Sequence, residues 1–124
     1  MQYIIQPGTI ENWPLEKHVG VVSKVLVDGQ NMTVLWSRWE SGASAPAHTH
    51  PHEQIGICLE GEMDFTINGQ ELLVRASEFY HIPPGAPHAE RNDSGSAAIL
   101  TDFFSPVRSD LLHKHFEPAT IDDK

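Results

Sequence analysis

Turn-forming residues divide this chain into short apolar runs, and that division limits its possible folds more than any other feature. Asp28-Gly29, Gly61, Asn68-Gly69 and Pro83-Pro84-Gly85 each interrupt or end a β-branched or apolar run. Asn-Gly in particular favours a two-residue hairpin, because both positions tolerate a positive φ. Short runs with turns roughly every ten residues predict an all-β barrel or sandwich.

The expected strands account for most of the chain between two irregular ends. We predict strands over residues 19–27, 32–39, 55–59, 63–67, 71–74, 78–82 and 97–104, with a further strand at His88 and a loop over 92–96. Breakers within residues 1–17 allow only short extended pieces, which predicts an extended N-terminal arm. Residues 109–124 predict a short helix with Ser109 as its N-cap, ended by Pro118 and followed by an acidic tail.

Length and charge narrow the classes of protein to which the chain can belong. Its 124 residues fit one domain, residues 1–124, and bury enough surface for one core. The net charge of −9 argues against nucleic acid as a partner, because that binding rests on Lys and Arg neutralising phosphates. Cys58 is the single cysteine, and the N-terminus carries no signal-peptide pattern, so we expect a cytoplasmic protein. No apolar run approaches the ~20 residues that cross a bilayer, so we expect no membrane partner.

Histidines cluster in the stretch His48-Thr49-His50-Pro51-His52-Glu53-Gln54. Side chains alternate across an extended segment, so His48, His50 and Gln54 share one face, while Glu53 points away. Three nitrogen or oxygen donors on one face, together with a histidine from another strand, form the four-point cage that a divalent transition metal needs. We therefore predict a metal site, with His52 on the same face as an alternative ligand or substrate contact.

Two other strands carry residues whose roles stay open at this level. On the strand before the histidines, either Arg38 or a tryptophan lines the site, or these side chains are ordinary packing and surface residues. On the last strand, Asp102 and Phe104 share a face with Leu100 and point inward if Leu100 does. A carboxylate in a cavity is costly unless it is used. The alternative is that Asp102 lies at a strand edge, solvated or paired with Arg108.

Two spaced motifs resemble those of the cupin family. The first comprises Gly42, His48, His50, Gln54 and Gly61, with Gln where most cupins have Glu, and the second comprises Ser77, Pro83, Gly85, His88 and Asn92, with Ser at the usual opening Gly. The resemblance implies a double-stranded β-helix, or jelly-roll barrel, with His48, His50, Gln54 and His88 as metal ligands inside it. The serine should affect the turn more than the chemistry.

A longer resemblance, from Gly42 to Leu112, is to the small cupins of pectin and alginate breakdown, the KdgF type. The residues that carry it are His48 to Gly56, Leu59 to Glu62, and Asp102-Phe103-Phe104-Ser105-Pro106-Val107-Arg108. Those proteins convert 4,5-unsaturated uronates, released by polysaccharide lyases, into linear ketonised sugar acids, with a divalent metal on three His and one Gln. The resemblance implies that Asp102, Phe104 and Arg108 are catalytic and that the substrate is a small anionic sugar acid. It also implies a homodimer, formed through edge strands that would otherwise be exposed.

The glutamine among these ligands bears on the chemistry. Three neutral imidazoles and a neutral amide leave the charge of a divalent ion uncompensated, which favours an anionic ligand. His and Gln ligands suit Ni, Zn, Fe, Co or Mn. Two other function classes stay open: a metal-dependent dioxygenase or different isomerase on the same barrel, and a sugar-acid sensor that binds without turnover. No pattern for a DNA-binding helix accompanies the barrel, which argues against the sensor.

Overall fold

The computed structural model describes residues 3–14 and 18–111, in which ten strands follow a short 3₁₀ helix at Pro7–Thr9. The strands are β1 (Trp13–Pro14), β2 (Val21–Asp28), β3 (Thr33–Trp39), β4 (Ser44–His48), β5 (Glu53–Glu60), β6 (Glu62–Ile67), β7 (Gln70–Arg75), β8 (Phe79–Ile82), β9 (His88–Arg91) and β10 (Ala98–Ser105). The seven strands whose limits we predicted begin and end within two residues of the predicted positions. The prediction of an all-β fold is confirmed.

The strands form two antiparallel sheets that enclose one core. The six-stranded sheet has the order β1-β2-β3-β10-β5-β8, and the four-stranded sheet has the order β4-β9-β6-β7. Phe65 and Met63 from the smaller sheet pack in one cluster with Tyr80, Ile82 and Leu100 from the larger one. Side chains alternate along each strand, so those on the inner faces of the two sheets either pack in this core or border a cavity.

The histidine stretch is not one strand, as the alternation argument assumed. β4 ends at His48 in the smaller sheet and β5 begins at Glu53 in the larger one, with residues 49–52 carrying the chain between them. Pro51 lies in this connection, and a proline cannot donate a hydrogen bond to a sheet ladder. The candidate ligands therefore come from both sheets. Glu53 does point away, as predicted, and its carboxylate lies 2.8 Å from Nε2 of His81.

Turn residues occupy the backbone conformations that their types favour, with one exception. Asn68 and Gly69 have φ of 51° and 80° and join β6 to β7, which confirms the predicted hairpin. Ser77, which replaces the usual glycine of the second motif, has a φ of 75°. Left-handed backbone is costly for a residue with a Cβ. The departure from the second cupin motif at Ser77 therefore lies in a turn, outside the histidine cluster.

The ends of the chain are described only in part. β1, within the predicted N-terminal arm, pairs with β2. Residues 109–111 are helical, and Leu111 packs against Val25, Leu35 and Phe104. The rest of the predicted C-terminal helix and the acidic tail lie outside the described residues. In the described ranges, no helix has both the length and the apolar character needed to span a membrane.

Candidate metal centre and cavity

Three histidines converge between the two sheets. His48 ends β4 and His88 begins β9, and the two are partners in the sheet register. His50 lies in the connection that follows. One ligand atom of each histidine lies within 4.8 Å of those of the other two. His88 is 1% and His50 9% exposed, whereas His48 is open to solvent. The cluster can therefore be approached from the side of His48.

The backbone holds each of these rings in the same way. In every case Nδ1 lies 2.9 to 3.1 Å from a carbonyl oxygen: His48 from Pro46, His50 from His52, and His88 from Ala86. A carbonyl oxygen only accepts, so Nδ1 carries the proton and Nε2 keeps its lone pair. Nε2 of His88 is buried and has no hydrogen-bond partner among the described residues. A ring with its Nδ1–H held by a second group is typical of metal-ligating histidines.

Gln54 lies beside the histidines, and a hydrogen bond to Asp102 sets the orientation of its amide. Its Nε2 donates a hydrogen bond of 2.9 Å to Oδ1 of Asp102. That bond turns the amide oxygen toward the cluster, where Oε1 lies 3.1 Å from Nε2 of His50. The buried side chain is therefore held with its oxygen where a fourth ligand would lie.

The protonation of the cluster suits metal binding. Burial lowers the pKa of His88 to about 4. Burial, together with the charge of Arg108, also lowers the pKa of His50 below its ordinary value. Neutral imidazoles are the form that ligates metals, so neither ring must first lose a proton at pH 7. Imidazole nitrogens and an amide oxygen match the ligand preferences of divalent transition metals. The three histidines could therefore bind such a metal.

Asp102 is buried in the cavity, contrary to the alternative of a solvated strand edge. It is 5% exposed, and Leu100 and Phe104 on the same face are buried with it. Oδ1 accepts hydrogen bonds from Nε2 of Gln54 at 2.9 Å and from the hydroxyl of Tyr80 at 2.5 Å. Oδ2 has no hydrogen-bond partner within the described part of the chain. Burial raises the pKa of Asp102 to about 6, against the opposing effect of the two hydrogen bonds.

Arg108 does not pair with Asp102. Its guanidinium binds the carboxylate of Asp110, with Nη2 2.6 Å from Oδ2. Its Cζ lies 4.8 Å from the centre of the Phe104 ring, and that ring is 5.7 Å from the ring of His50. Phe104 thus lies between the histidine cluster and the arginine. The alternative in which Arg108 pairs with Asp102 is wrong, because Asp110, two residues along the chain, supplies the carboxylate that Arg108 binds.

A cavity of about 340 Å³ joins these parts. Its walls include His48, Gln54, Asp102, Phe104 and Arg108, together with Leu35, Trp39 and Glu90. Five of the seven residues predicted for the site therefore border one space. Of the two open possibilities on β3, the tryptophan is correct.

Two other sequence candidates lie elsewhere. Arg38 is exposed and forms an ion pair with Glu40, because it occupies the outward face of β3. His52 is not one of the three clustered histidines, although its ring is 5.5 Å from that of His50. Its Nδ1 is buried without a hydrogen-bond partner in the described ranges.

Sequence reasoning missed two residues at the candidate site, Tyr80, which contacts Asp102, and Glu90, which borders the cavity. Glu90 is 9% exposed, and burial, reinforced by the negative charge of Asp102, raises its pKa to about 8. A signal for Glu90 was present, since it lies two residues after His88 and must share its face of the strand. Tyr80 offered no local signal, because its contact with Asp102 joins residues 22 positions apart.

Two curated proteins are similar to this chain in sequence. The HTH-type transcriptional regulator PuuR of Escherichia coli is 30% identical over 92 residues, covering 71% of this chain and 50% of the relative. Quercetin 2,3-dioxygenase of Bacillus subtilis is 26% identical over 103 residues, covering 82% of this chain and 31% of the relative. The chain thus spans half or less of the length of these curated relatives.

Solved structures match over nearly the whole chain. KdgF from Halomonas sp. superimposes with a TM-score of 0.82 at 19% identity, covering 90% of this chain and 99% of the other. An RmlC-like cupin from Shewanella frigidimarina gives a TM-score of 0.81 at 22% identity, covering 90% and 96%. Identities this low show a shared fold. The sequence model of the Cupin domain matches residues 35–104, which are more than half of the chain and include the cavity residues from Leu35 to Phe104. The protein is therefore a member of the cupin family.

Proposed function

We propose that this protein is a metal-dependent enzyme that opens the ring of 4,5-unsaturated uronates to give linear 4-deoxy-5-keto uronates. The observation that carries the proposal is the placement of Asp102. A buried carboxyl group lies in the same cavity as the histidine cluster, and its Oδ2 has no hydrogen-bond partner in residues 3–14 and 18–111. Such a group is costly to bury, and a pKa of about 6 suits proton transfer near neutral pH.

The reaction needs one proton to be moved within the substrate. Loss of the proton from the anomeric hydroxyl forms the C1 carbonyl and breaks the bond between C1 and the ring oxygen. The electron pair stays on that oxygen as an enolate conjugated to C4. Addition of a proton at C4 then gives the 5-keto acid. We assign both transfers to Oδ2 of Asp102, which takes the proton from the hydroxyl and returns it to carbon.

The remaining residues bind and orient the substrate. A divalent metal on His48, His50, Gln54 and His88 would supply positive charge to the substrate carboxylate and the oxygen beside it. Arg108 adds a second positive charge at the same cavity. Phe104, held between Arg108 and His50, gives the cavity an apolar wall. Tyr80 and Gln54 fix the Asp102 carboxylate so that Oδ2 is the oxygen left for chemistry.

The test follows the ultraviolet absorbance of a lyase-generated unsaturated monouronate. Metal-loaded protein should remove the conjugated double bond, and chelated protein should not. Asp102→Asn should keep its metal and lose about 10²- to 10⁴-fold in rate, the usual contribution of a positioned acid-base group. Asp64→Asn, on a strand outside the cavity, is the matched control. If wild-type protein that contains metal does not accelerate the reaction above its spontaneous rate, the proposal is overturned.

Two observations favour other functions on the same cavity. Similarity to the regulator PuuR favours a sensor, in which Asp102→Asn changes ligand affinity while no substrate is consumed. Similarity to quercetin 2,3-dioxygenase favours oxygen chemistry, in which iron-loaded protein consumes dissolved oxygen. Titration calorimetry and an oxygen electrode separate both from ring opening.

A further inference from the structure

Glu90 is a buried acid for which the proposed reaction has no use. It lies on β9 with His88, on the same inner face, between Ala45 of β4 and Phe65 of β6 in the sheet register. Residues two apart on a strand are separated by about 6.6 Å. Glu90 therefore borders the cavity at a different level from the histidine cluster, and it is not one of the clustered ligands.

The carboxyl group of Glu90 has no hydrogen-bond partner among the described residues, although the residue is only 9% exposed. Its partner in the sheet register, Ala45, is small and borders the same cavity. A carboxyl group that is taken largely out of bulk water needs hydrogen bonds. At this cavity wall, a ligand in the cavity can supply them.

We propose that Glu90 binds two adjacent hydroxyl groups of a ligand held in this cavity. This inference rests on the proposed function and deepens it, because an unsaturated uronate carries neighbouring hydroxyls at C2 and C3. A carboxyl group matches such a pair in either protonation state. The ionised form accepts two hydrogen bonds, and the neutral form donates one and accepts one.

The cavity offers two kinds of binding group. The histidine cluster and Arg108 favour an acid group of the ligand, and Glu90 borders the same cavity with a carboxyl group. A ligand that carries both an acid and a diol can use both. A dicarboxylate has no hydroxyl pair for Glu90, so Glu90 should separate sugar acids from simple acids of similar charge.

Calorimetry on metal-loaded protein in an Asp102→Asn background, where no turnover disturbs the titration, tests the inference. The probes are the unsaturated monouronate and oxalate, which binds metals and carries no hydroxyl pair. Glu90→Met should weaken monouronate binding by roughly tenfold or more, as expected for lost hydrogen bonds to a carboxyl group. Oxalate binding and metal content should not change. Glu90→Gln should restore most of the affinity, since an amide also donates and accepts.

Glu71→Met, an exposed glutamate on β7, is the control and should leave both affinities unchanged. Equal monouronate affinity with and without Glu90 would overturn the inference and leave the proposed function standing. Equal loss of both probes would also overturn it, because Glu90 would then act on the metal cluster. If the Asp102→Asn protein with Glu90 intact binds oxalate and no monouronate, the proposed function is wrong and the inference falls with it.

Discussion

The hydroxyl of Tyr80 reaches Oδ1 of Asp102 at 2.5 Å although a whole strand lies between the two residues. Tyr80 is on β8, Asp102 is on β10, and the residue that pairs with both is Gly56 on β5. Because Gly56 has no side chain, the phenol can cross over β5 to the carboxylate. A short bond of this kind is typical of a hydroxyl donating to a carboxylate.

Gly56→Ala should disrupt this contact. A Cβ at this position would overlap both the Tyr80 ring and Oδ1 of Asp102. Overpacking of this kind costs about 1–3 kcal/mol of unfolding free energy, which urea denaturation measures. Gly95→Ala is the control, since nothing lies within 4 Å of a Cβ there. Equal stability of the two variants would show that Tyr80 and Asp102 can move aside for a side chain at residue 56.

Tyr80→Phe should shift the pH dependence of the reaction. Asp102 must be ionised to take a proton, so activity should rise with pH through its pKa, about 6 in the folded protein. The Tyr80 hydrogen bond lowers that pKa, so its removal should move the acid limb to higher pH. The rate at pH 6 should therefore fall more than the rate at pH 8. If the acid limb of the pH profile stays in place and activity falls equally at every pH, Tyr80 has a purely structural role.

His88→Ala should abolish the stabilisation that a metal provides. A ligand that binds only the folded protein, present at 100 times its dissociation constant, stabilises by about 2.7 kcal/mol. Wild-type protein should therefore unfold at a higher temperature with Ni²⁺ or Zn²⁺ than with a chelator. His81→Ala removes an exposed histidine that pairs with Glu53 and should behave as wild type. Metal stabilisation that survives in His88→Ala would place the metal elsewhere.

Phe79→Asp should weaken self-association. The outer face of the six-stranded sheet carries exposed apolar side chains on neighbouring strands, with Phe79 68%, Leu59 47%, Ile55 44% and Phe103 37% exposed. Phe79 lies on β8, an edge strand, and such edges pair readily with another chain. We expect a homodimer of the wild-type chain in light scattering and a monomer for the variant. Val19→Asp, at an exposed valine outside these strands, should stay dimeric. A wild-type monomer would contradict the expectation.

Local pattern was sufficient for the strands and for the membership of the histidine cluster. Turn residues placed the strands to within two residues because hairpin and loop chemistry acts over a few positions. The grouping of His48, His50 and Gln54 was correct, although the alternation argument behind it was not. The chain changes sheets between His48 and Glu53, so the three residues meet through a connection.

The environment of Asp102 could not be predicted from local sequence patterns. The sequence left two possibilities open, an inward position with Leu100 or a strand edge where Asp102 is solvated or paired with Arg108, and the structure shows the first. Burial of this carboxylate depends on Gly56, Tyr80 and Gln54, which come from two neighbouring strands. No local pattern encodes a contact between residues so far apart along the chain.

Spacing along the chain was thus enough to specify strands, turns and the cupin motifs, because each depends on neighbouring residues. Which acids are buried, which oxygen of Asp102 stays free and which partner Arg108 takes depend on how the two sheets close over one another. Closure buries a few polar groups and leaves Glu90 at the cavity wall without a hydrogen-bond partner among the described residues. Burial sets their pKa values and hydrogen bonds, and burial is a property of the packed sheets.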